Sequence, residues 1–370
     1  MALEFMDSCS HMGSGNIFPP AIPADNKWTS MYPLGCFYET SPVRRTNPAF
    51  SATALCLGLN SSNAWKTLTY QSSRYMSAAY YISSAHGGAQ RSMFQMLSGG
   101  QLLADVSFEI DGTISIYANN TRIWNSATYV WTLDTYHYAE FYVILSGSTN
   151  IGITATLKID GVTLVTAATG NTGINNNNLI NAGSTTMNQI GFSGGAGCYI
   201  MDVLVMNSST TDVNGFTTTL NGFQGDVAIM TLIPDADVTT SWSKFPSGAA
   251  NQYSLVANNP PKDDVDYIYD NTVNDVSAFN MTPITGLTGS LLGAQLCIRV
   301  KKDAEGTRAI RAQLNGTDLS NWTGVGLTPI EDQSLYDYYD YFLFPLDSMA
   351  GTSWTESNFN SSSFGVKVSV

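Results

Sequence analysis

From about Ala52 onward, apolar and polar side chains change places at a period of two in short runs, with Gly, Asn, Asp and Ser between one run and the next. That alternation predicts strands with one buried and one wet face. Ser107–Tyr117 alternates across Asp111-Gly112. A period of two places Phe108 and Ile110 on one face, and the Asp-Gly pair supplies the positive φ angles of a tight reversal. The same device recurs around Asp160-Gly161, within Ala155–Val165. Tyr138–Leu145 predicts a strand between them, and Met187–Phe192 and Tyr199–Met206 predict two more, parted by Gly194-Gly195. Short strands with turn chemistry between them signal an antiparallel sandwich or barrel.

The pattern continues in Asp226–Ile233, Ala294–Lys301, Thr307–Leu314, Tyr336–Phe344 and Phe364–Val370, so a second β unit is expected. Asp263–Asp270 reads as an acidic, aromatic loop or edge strand. Helical periodicity never exceeds about two turns, and Glu356–Asn360 is the candidate for a single turn. No internal repeat has a fixed period. The expected fold class is all-β, with two antiparallel β-sandwiches, and a chain of 370 residues suits two domains. Residues 1–50 form an irregular arm with a short strand at Met1–Phe5, because Pro19, Pro20, Pro23, Pro33, Pro42 and Pro48 forbid long ladders. The first sandwich spans 51–215 and the second 216–370, with the Ser-, Thr- and Asn-rich stretch Asn207–Gly225 at the junction.

Composition narrows the function. Only 12% of residues are charged, and 29 acidic against 16 basic side chains give a net charge of -13. Such a surface repels phosphate backbones, so nucleic acid is not an expected partner. No apolar run reaches the roughly 20 residues of a membrane-spanning helix, so membrane insertion is not expected. The sequence begins Met-Ala-Leu-Glu-Phe-Met-Asp, acidic where a secretory signal is basic, and export by that route is not expected either. Cys9, Cys36, Cys56, Cys198 and Cys297 stand singly and read as mostly buried free thiols.

The search for catalytic chemistry yields no site. Glu109 and Asp111 share a strand face at i, i+2, as a glycanase pair would, since retaining hydrolysis needs two carboxyls about 5–5.5 Å apart. A third carboxylate is missing where Ile114 stands, and Asp111 belongs to the turn. His11, His86 and His137 show no metal-ligand spacing. Asp263, Asp264, Asp266 and Asp270 lack the Asp-x-Asp-x-Asp-Gly order of a calcium loop and read as a solvated acidic turn. No catalytic, cofactor-binding or metal residue is assigned, and no cofactor is expected. Aromatic side chains remain: Trp124, Trp131, Tyr336 and Tyr339 are the candidate contacts for a glycan or a partner, because exposed rings stack on sugars and anchor interfaces. The competing reading puts alternate members of these clusters in a core.

The order of several short motifs resembles a family. Phe5-x-Asp7-Ser8, Lys27-Trp28, Ala54–Gly58, Glu140–Val143, Leu157–Val162, Asn188–Phe192 and Tyr199–Val205 are similar to the concanavalin A-like lectin/glucanase jelly roll of tailed-bacteriophage virion proteins. Gly225-Asp226-Val227, Thr231–Pro234, Thr240–Trp242, Asn259–Asp264, Lys301–Arg308, Trp354–Glu356 and Gly365–Val368 resemble the module that follows this jelly roll in such proteins. The resemblance implies a non-enzymatic structural subunit of the virion, in a tail fibre, an appendage or head decoration, assembled in the host bacterial cytoplasm. It further implies other virion proteins as partners and a homo-oligomer, with a trimer favoured. A carbohydrate-binding adsorption module is the alternative, and a glycanase the third reading.

Overall fold

The computed structural model describes residues 1–7, 63–85, 90–148, 150–175, 185–193, 197–210, 220, 222–258, 264–301, 309–318 and 352–369, together with the backbone of short strands at 15–16, 30–32, 36–39, 46–47, 52–53, 56–59, 338–342 and 348–349. The all-β expectation holds. Antiparallel sheets account for nearly all regular structure, and the two helices among the described residues, Tyr253–Val256 and Glu356–Asn360, are single turns. No helix among the described residues is long and apolar enough to cross a membrane.

Two sheets form the first sandwich. The larger runs in the order Val162–Asn171, Gly152–Ile159, Tyr136–Ser146, Ser73–Ile82 and Cys198–Asn207, and continues through Cys56–Leu59, Cys36–Glu39 and Gly15–Asn16. Ala2–Asp7 also pairs with Cys198–Asn207. The smaller runs Thr121–Asn125, Ile114–Ala118, Gln101–Phe108, Arg91–Ser98, Met187–Ser193, Asn63–Gln71 and Ser30–Tyr32. Alternate residues of each strand meet in the layer between the sheets. Met76, Ala78, Tyr80 and Ile82 face Phe94, Val106, Phe108, Ile190 and Phe192, with Phe141, Val143, Leu157 and Val205 beside them, all buried. Each large side chain removed from water there contributes roughly 1.5–3 kcal/mol. Phe94 stacks on Phe141 across the gap with ring centroids 5.9 Å apart.

The turn chemistry acts as the sequence implies at Asp160-Gly161. Both residues take positive φ, 50° and 78°, and Ile159 pairs directly with Val162, so a two-residue reversal closes the hairpin. The Asp111-Gly112 reversal is longer. Its flanking strands end at Phe108 and begin at Ile114, and Glu109 N–H donates to the Thr113 carbonyl. Phe108 is therefore buried while Ile110 is 70% exposed on the loop, which corrects the expectation that the two share a face. A second correction concerns Asp226–Ile233, which forms no strand. Its Ile229 N–H donates to the Asp202 carboxylate of the larger sheet, and its Ile233 carbonyl accepts the Thr282 N–H.

At one end of the sandwich the first strand is fixed by a fully buried ion pair, Arg74 to Glu4 at 3.0 Å, and Arg74 also donates to the Thr69 carbonyl at 2.7 Å. Burial lowers the Arg74 guanidinium pKa, and the neighbouring Glu4 carboxylate opposes that.

Beyond residue 233 a five-stranded antiparallel sheet runs Pro234–Thr240, Val276–Met281, Phe364–Val368, Ile310–Leu314 and Thr317–Asp318. Trp354, Phe359, Phe364, Leu314 and Ile284 form its core. The Glu356–Asn360 turn expected from the sequence is present, with Thr355 and Asn358 closing a reciprocal cap at its start.

Candidate functional site: the outer face of the larger sheet

Residues that alternate with the core side chains line the outer face of the larger sheet. Tyr136, Tyr81 and Tyr199 lie side by side there on three neighbouring strands, since Tyr81 is the register partner of both others. Their ring centroids are 5.3 Å (Tyr81 to Tyr136) and 5.9 Å (Tyr81 to Tyr199) apart, and all three are half-buried. Cross-strand aromatic neighbours stabilise a sheet through their ring contacts. Asp134 stands at the rim of this row in a left-handed backbone conformation, φ 59°. Its carboxylate accepts the Ser84 N–H at 2.9 Å and the Tyr81 hydroxyl at 3.3 Å. The Ser84 amide is the main cause that holds Asp134 below the usual carboxylate range. Tyr81 moves upward, through desolvation first and the Asp134 charge second.

Further along the same face the rows are Tyr138 with Ala79, Glu140 with Ser77, and Tyr142 with Tyr75. Glu140 is buried, 1% exposed. Its Oε1 accepts the Tyr75 hydroxyl at 2.8 Å and the Gly225 N–H at 2.9 Å. Tyr138 and Ser77 hydroxyls share a hydrogen bond of 2.8 Å. Burial, then the neighbouring Tyr138 and Glu140, push the Tyr75 phenol well above its ordinary range. Lys158 is the register partner of Glu140 on the next strand.

Part of this face is covered. Leu220, Val227 and Ile229 pack on Ala79, Met201, Leu204 and Met206, and Ile229 N–H donates to Asp202 at 3.0 Å. Asp202 sits at a register shift of its strand with φ 55°, which points its carboxylate out of the ladder. Phe223 meets the Tyr75 ring edge-on at 5.7 Å, with the Lys158 ammonium 4.3 Å from the Phe223 centroid.

The candidates named from the sequence lie elsewhere. Trp131 is 2% exposed, edge-on to Phe108 at 6.4 Å and to His137 at 4.5 Å, so the glycan-contact expectation is corrected there: the ring belongs to the core. Trp124 is half-buried opposite Ile116 and packs against the same core. Tyr339 belongs to the strand Tyr338–Phe342, of which the backbone alone is described, and Tyr336 lies outside the described residues. Glu109 accepts the Tyr117 hydroxyl at 2.8 Å, while Asp111 accepts the Thr113 N–H and hydroxyl within its own turn. His137 Nδ1 lies in hydrogen-bond contact with the Asp160 carboxylate at 2.6 Å. Among the described residues no group of three or more His, Cys, Asp or Glu side chains is placed to hold a metal ion. Cys198 is a buried free thiol and Cys297 an exposed one. Reading by residue type favoured tryptophan and adjacent tyrosines, and missed Tyr81 and Tyr199. Their period-two positions in apolar runs were visible, but the pairing that joins them was not.

No protein-family model matches the chain, and no curated protein matches it. Solved structures similar to it include the alginate lyase Aly36B, at 11% identity over 56% of this chain and 98% of that one, TM-score 0.33. An endo-β-1,4-glucuronan lyase from Trichoderma reesei matches at 9% identity over 56% of this chain and 96% of that one, TM-score 0.34. Trypanosoma rangeli sialidase matches at 11% identity over 56% of this chain and 30% of that one, TM-score 0.33. These likenesses assign no activity here. The expectation that the chain is not an enzyme is withdrawn, since these structures, lyases and sialidases, lend it no support.

Proposed function

We propose that this chain is a glycan-binding β-sandwich protein whose contact surface is the row Tyr136, Tyr81 and Tyr199. The observation that supports it is the alignment of three half-exposed tyrosines across three strands, with the Asp134 carboxylate at their rim. Phenol rings offer apolar bodies to the C–H faces of sugars, while their hydroxyls and a carboxylate exchange hydrogen bonds with sugar hydroxyls. With a net charge of -13 a polyanionic chain is repelled, so the ligand class is a neutral glycan. The setting we propose is the tailed-phage particle that the sequence resemblance implies, where such a surface would meet host glycans.

The test is affinity electrophoresis of the parent, Tyr81→Ala and Tyr136→Ala in gels containing β-1,3-glucan, β-1,4-glucan, α-mannan or dextran. Removal of one ring is expected to weaken binding about tenfold, with unchanged circular dichroism. If none of the four polymers retards the parent, or if the variants migrate like it, the reading is wrong. The same mixtures, assayed for new reducing ends and for unsaturated products, report any turnover. Immunolabelling of purified particles checks the setting.

A further inference from the structure

The row Tyr136, Tyr81 and Tyr199 does not end at its third strand. Tyr199 is the register partner of Gly58, Gly58 of Phe37, and Phe37 of Asn16. One line across six neighbouring strands of the larger sheet therefore reads Tyr136, Tyr81, Tyr199, Gly58, Phe37 and Asn16. The adjacent row fixes the face. Tyr38 pairs with Leu57, Leu57 with Ile200, and Ile200 with Tyr80. Ile200 and Tyr80 are buried in the core between the two sheets. Successive residues of a strand stand on opposite faces, so Phe37 and Gly58 belong to the outer face together with the three tyrosines.

The chemistry along this line is uneven. Three aromatic positions are followed by a bare one and then by a fourth aromatic position. Glycine weakens the interior of a strand and marks places where a ligand or another backbone comes close. Polar residues stand at both ends, Asp134 at the rim beside Tyr81 and Asn16 beyond Phe37. Four strand spacings of about 4.8 Å put Phe37 roughly 19 Å from Tyr136. That span exceeds a disaccharide and lies within the reach of a hexasaccharide.

We infer that the glycan site is a line of subsites that crosses Gly58 to a fourth aromatic anchor, Phe37, and that its ligand is a linear neutral chain of several sugars. The inference rests on the glycan-binding reading above and adds the length of the ligand and the place of its far end. A chain held by the tyrosines presents its next units to Phe37 at high local concentration, so affinity rises with length until the line is filled. Over Gly58 the chain runs closest to the backbone, and a side chain introduced there obstructs it. A disaccharide held at the tyrosines is indifferent to both positions.

The experiment is titration calorimetry of the parent, Phe37→Ala, Phe37→Tyr, Gly58→Thr and Tyr81→Ala with cellobiose and cellohexaose, and with laminaribiose and laminarihexaose. Threonine suits a strand, so Gly58→Thr fills the bare position without removing a ring, and it carries the test should Phe37→Ala fail to fold. Circular dichroism and melting of each variant verify folding. The parent is expected to bind a hexasaccharide about tenfold or more tightly than the matching disaccharide. Phe37→Ala and Gly58→Thr are each expected to lose about tenfold in hexasaccharide affinity, with disaccharide affinity unchanged, while Phe37→Tyr keeps both. Equal affinity of the parent for the two lengths overturns the extension. So does a hexasaccharide affinity that survives both Phe37→Ala and Gly58→Thr, or an equal loss for both lengths in these variants. With Tyr81→Ala weakened, each of those results leaves the tyrosine row standing. Binding of none of the four sugars by the parent overturns both readings.

Discussion

Burial pushes the Asp105 carboxyl up to about 6, against the hydrogen bonds from Ser107 and Ser92 that pull it down. One of its oxygens accepts both hydroxyls, at 2.6 and 3.0 Å, while Oδ1 is buried without a partner. A carboxyl whose pKa is higher in the folded state binds its proton more tightly there, so its contribution to stability is present at low pH and is lost as pH rises from about 4 through about 6. A shift of that size corresponds to a loss on the order of 3 kcal/mol. Asp105→Asn keeps the shape and has no charge to bury. Urea denaturation at about pH 4.5 and pH 7.5 is expected to show the variant gaining on the parent by about 2–3 kcal/mol at the higher pH. Equal differences at the two pH values would show that Asp105 does not titrate in this window.

At the level of elements, two glycines separate conformational from steric cost. Gly161 has φ 78° in the Asp160-Gly161 reversal and open space where a Cβ would go, so Gly161→Ala carries only the backbone penalty, about 1 kcal/mol. Gly365 lies in the strand Phe364–Val368, and a Cβ there would stand 2.6 Å from the Ser277 carbonyl oxygen and 2.8 Å from the Ala278 Cβ. Backbone of a paired strand yields little, so Gly365→Ala is expected to cost more than Gly161→Ala, about 1–3 kcal/mol or above. Denaturation midpoints at equal slope compare them, and a larger loss at Gly161 would reverse the assignment. The same contrast explains what could be read from the sequence. The Asp160-Gly161 hairpin and the Thr355-capped turn are local, and neighbouring residues suffice to specify them. Asp226–Ile233 alternates as well as any strand, but its Ile229 N–H meets the carboxylate of Asp202, and just before it Gly225 meets Glu140, both contacts far away in sequence. Alternation cannot distinguish a ladder from a segment laid on a sheet. The tyrosine row is hidden for the same reason: Tyr81, Tyr136 and Tyr199 meet only after three distant strands have paired.

For the molecule as a whole, the net charge of -13 and the composition of the tyrosine row act in different ways on binding. A polyanion approaching this chain meets long-range repulsion that salt screens, since the screening length falls from about 10 Å at 0.1 M ionic strength to about 3 Å at 1 M. Ring stacking and hydrogen bonds to a neutral sugar involve no net charge on the ligand, and the Asp134 carboxylate already accepts two internal hydrogen bonds. Salt therefore discriminates between ligand classes where area and shape do not. Affinity for a neutral glucan is expected to change less than about twofold between about 0.1 and 1 M sodium chloride. An acidic polysaccharide, if it binds, is expected to bind more tightly as salt rises, because screening removes repulsion and no ion pair is lost. Binding of either class that weakens about tenfold or more over this range would mean that a basic patch, and not the tyrosine row, holds the ligand.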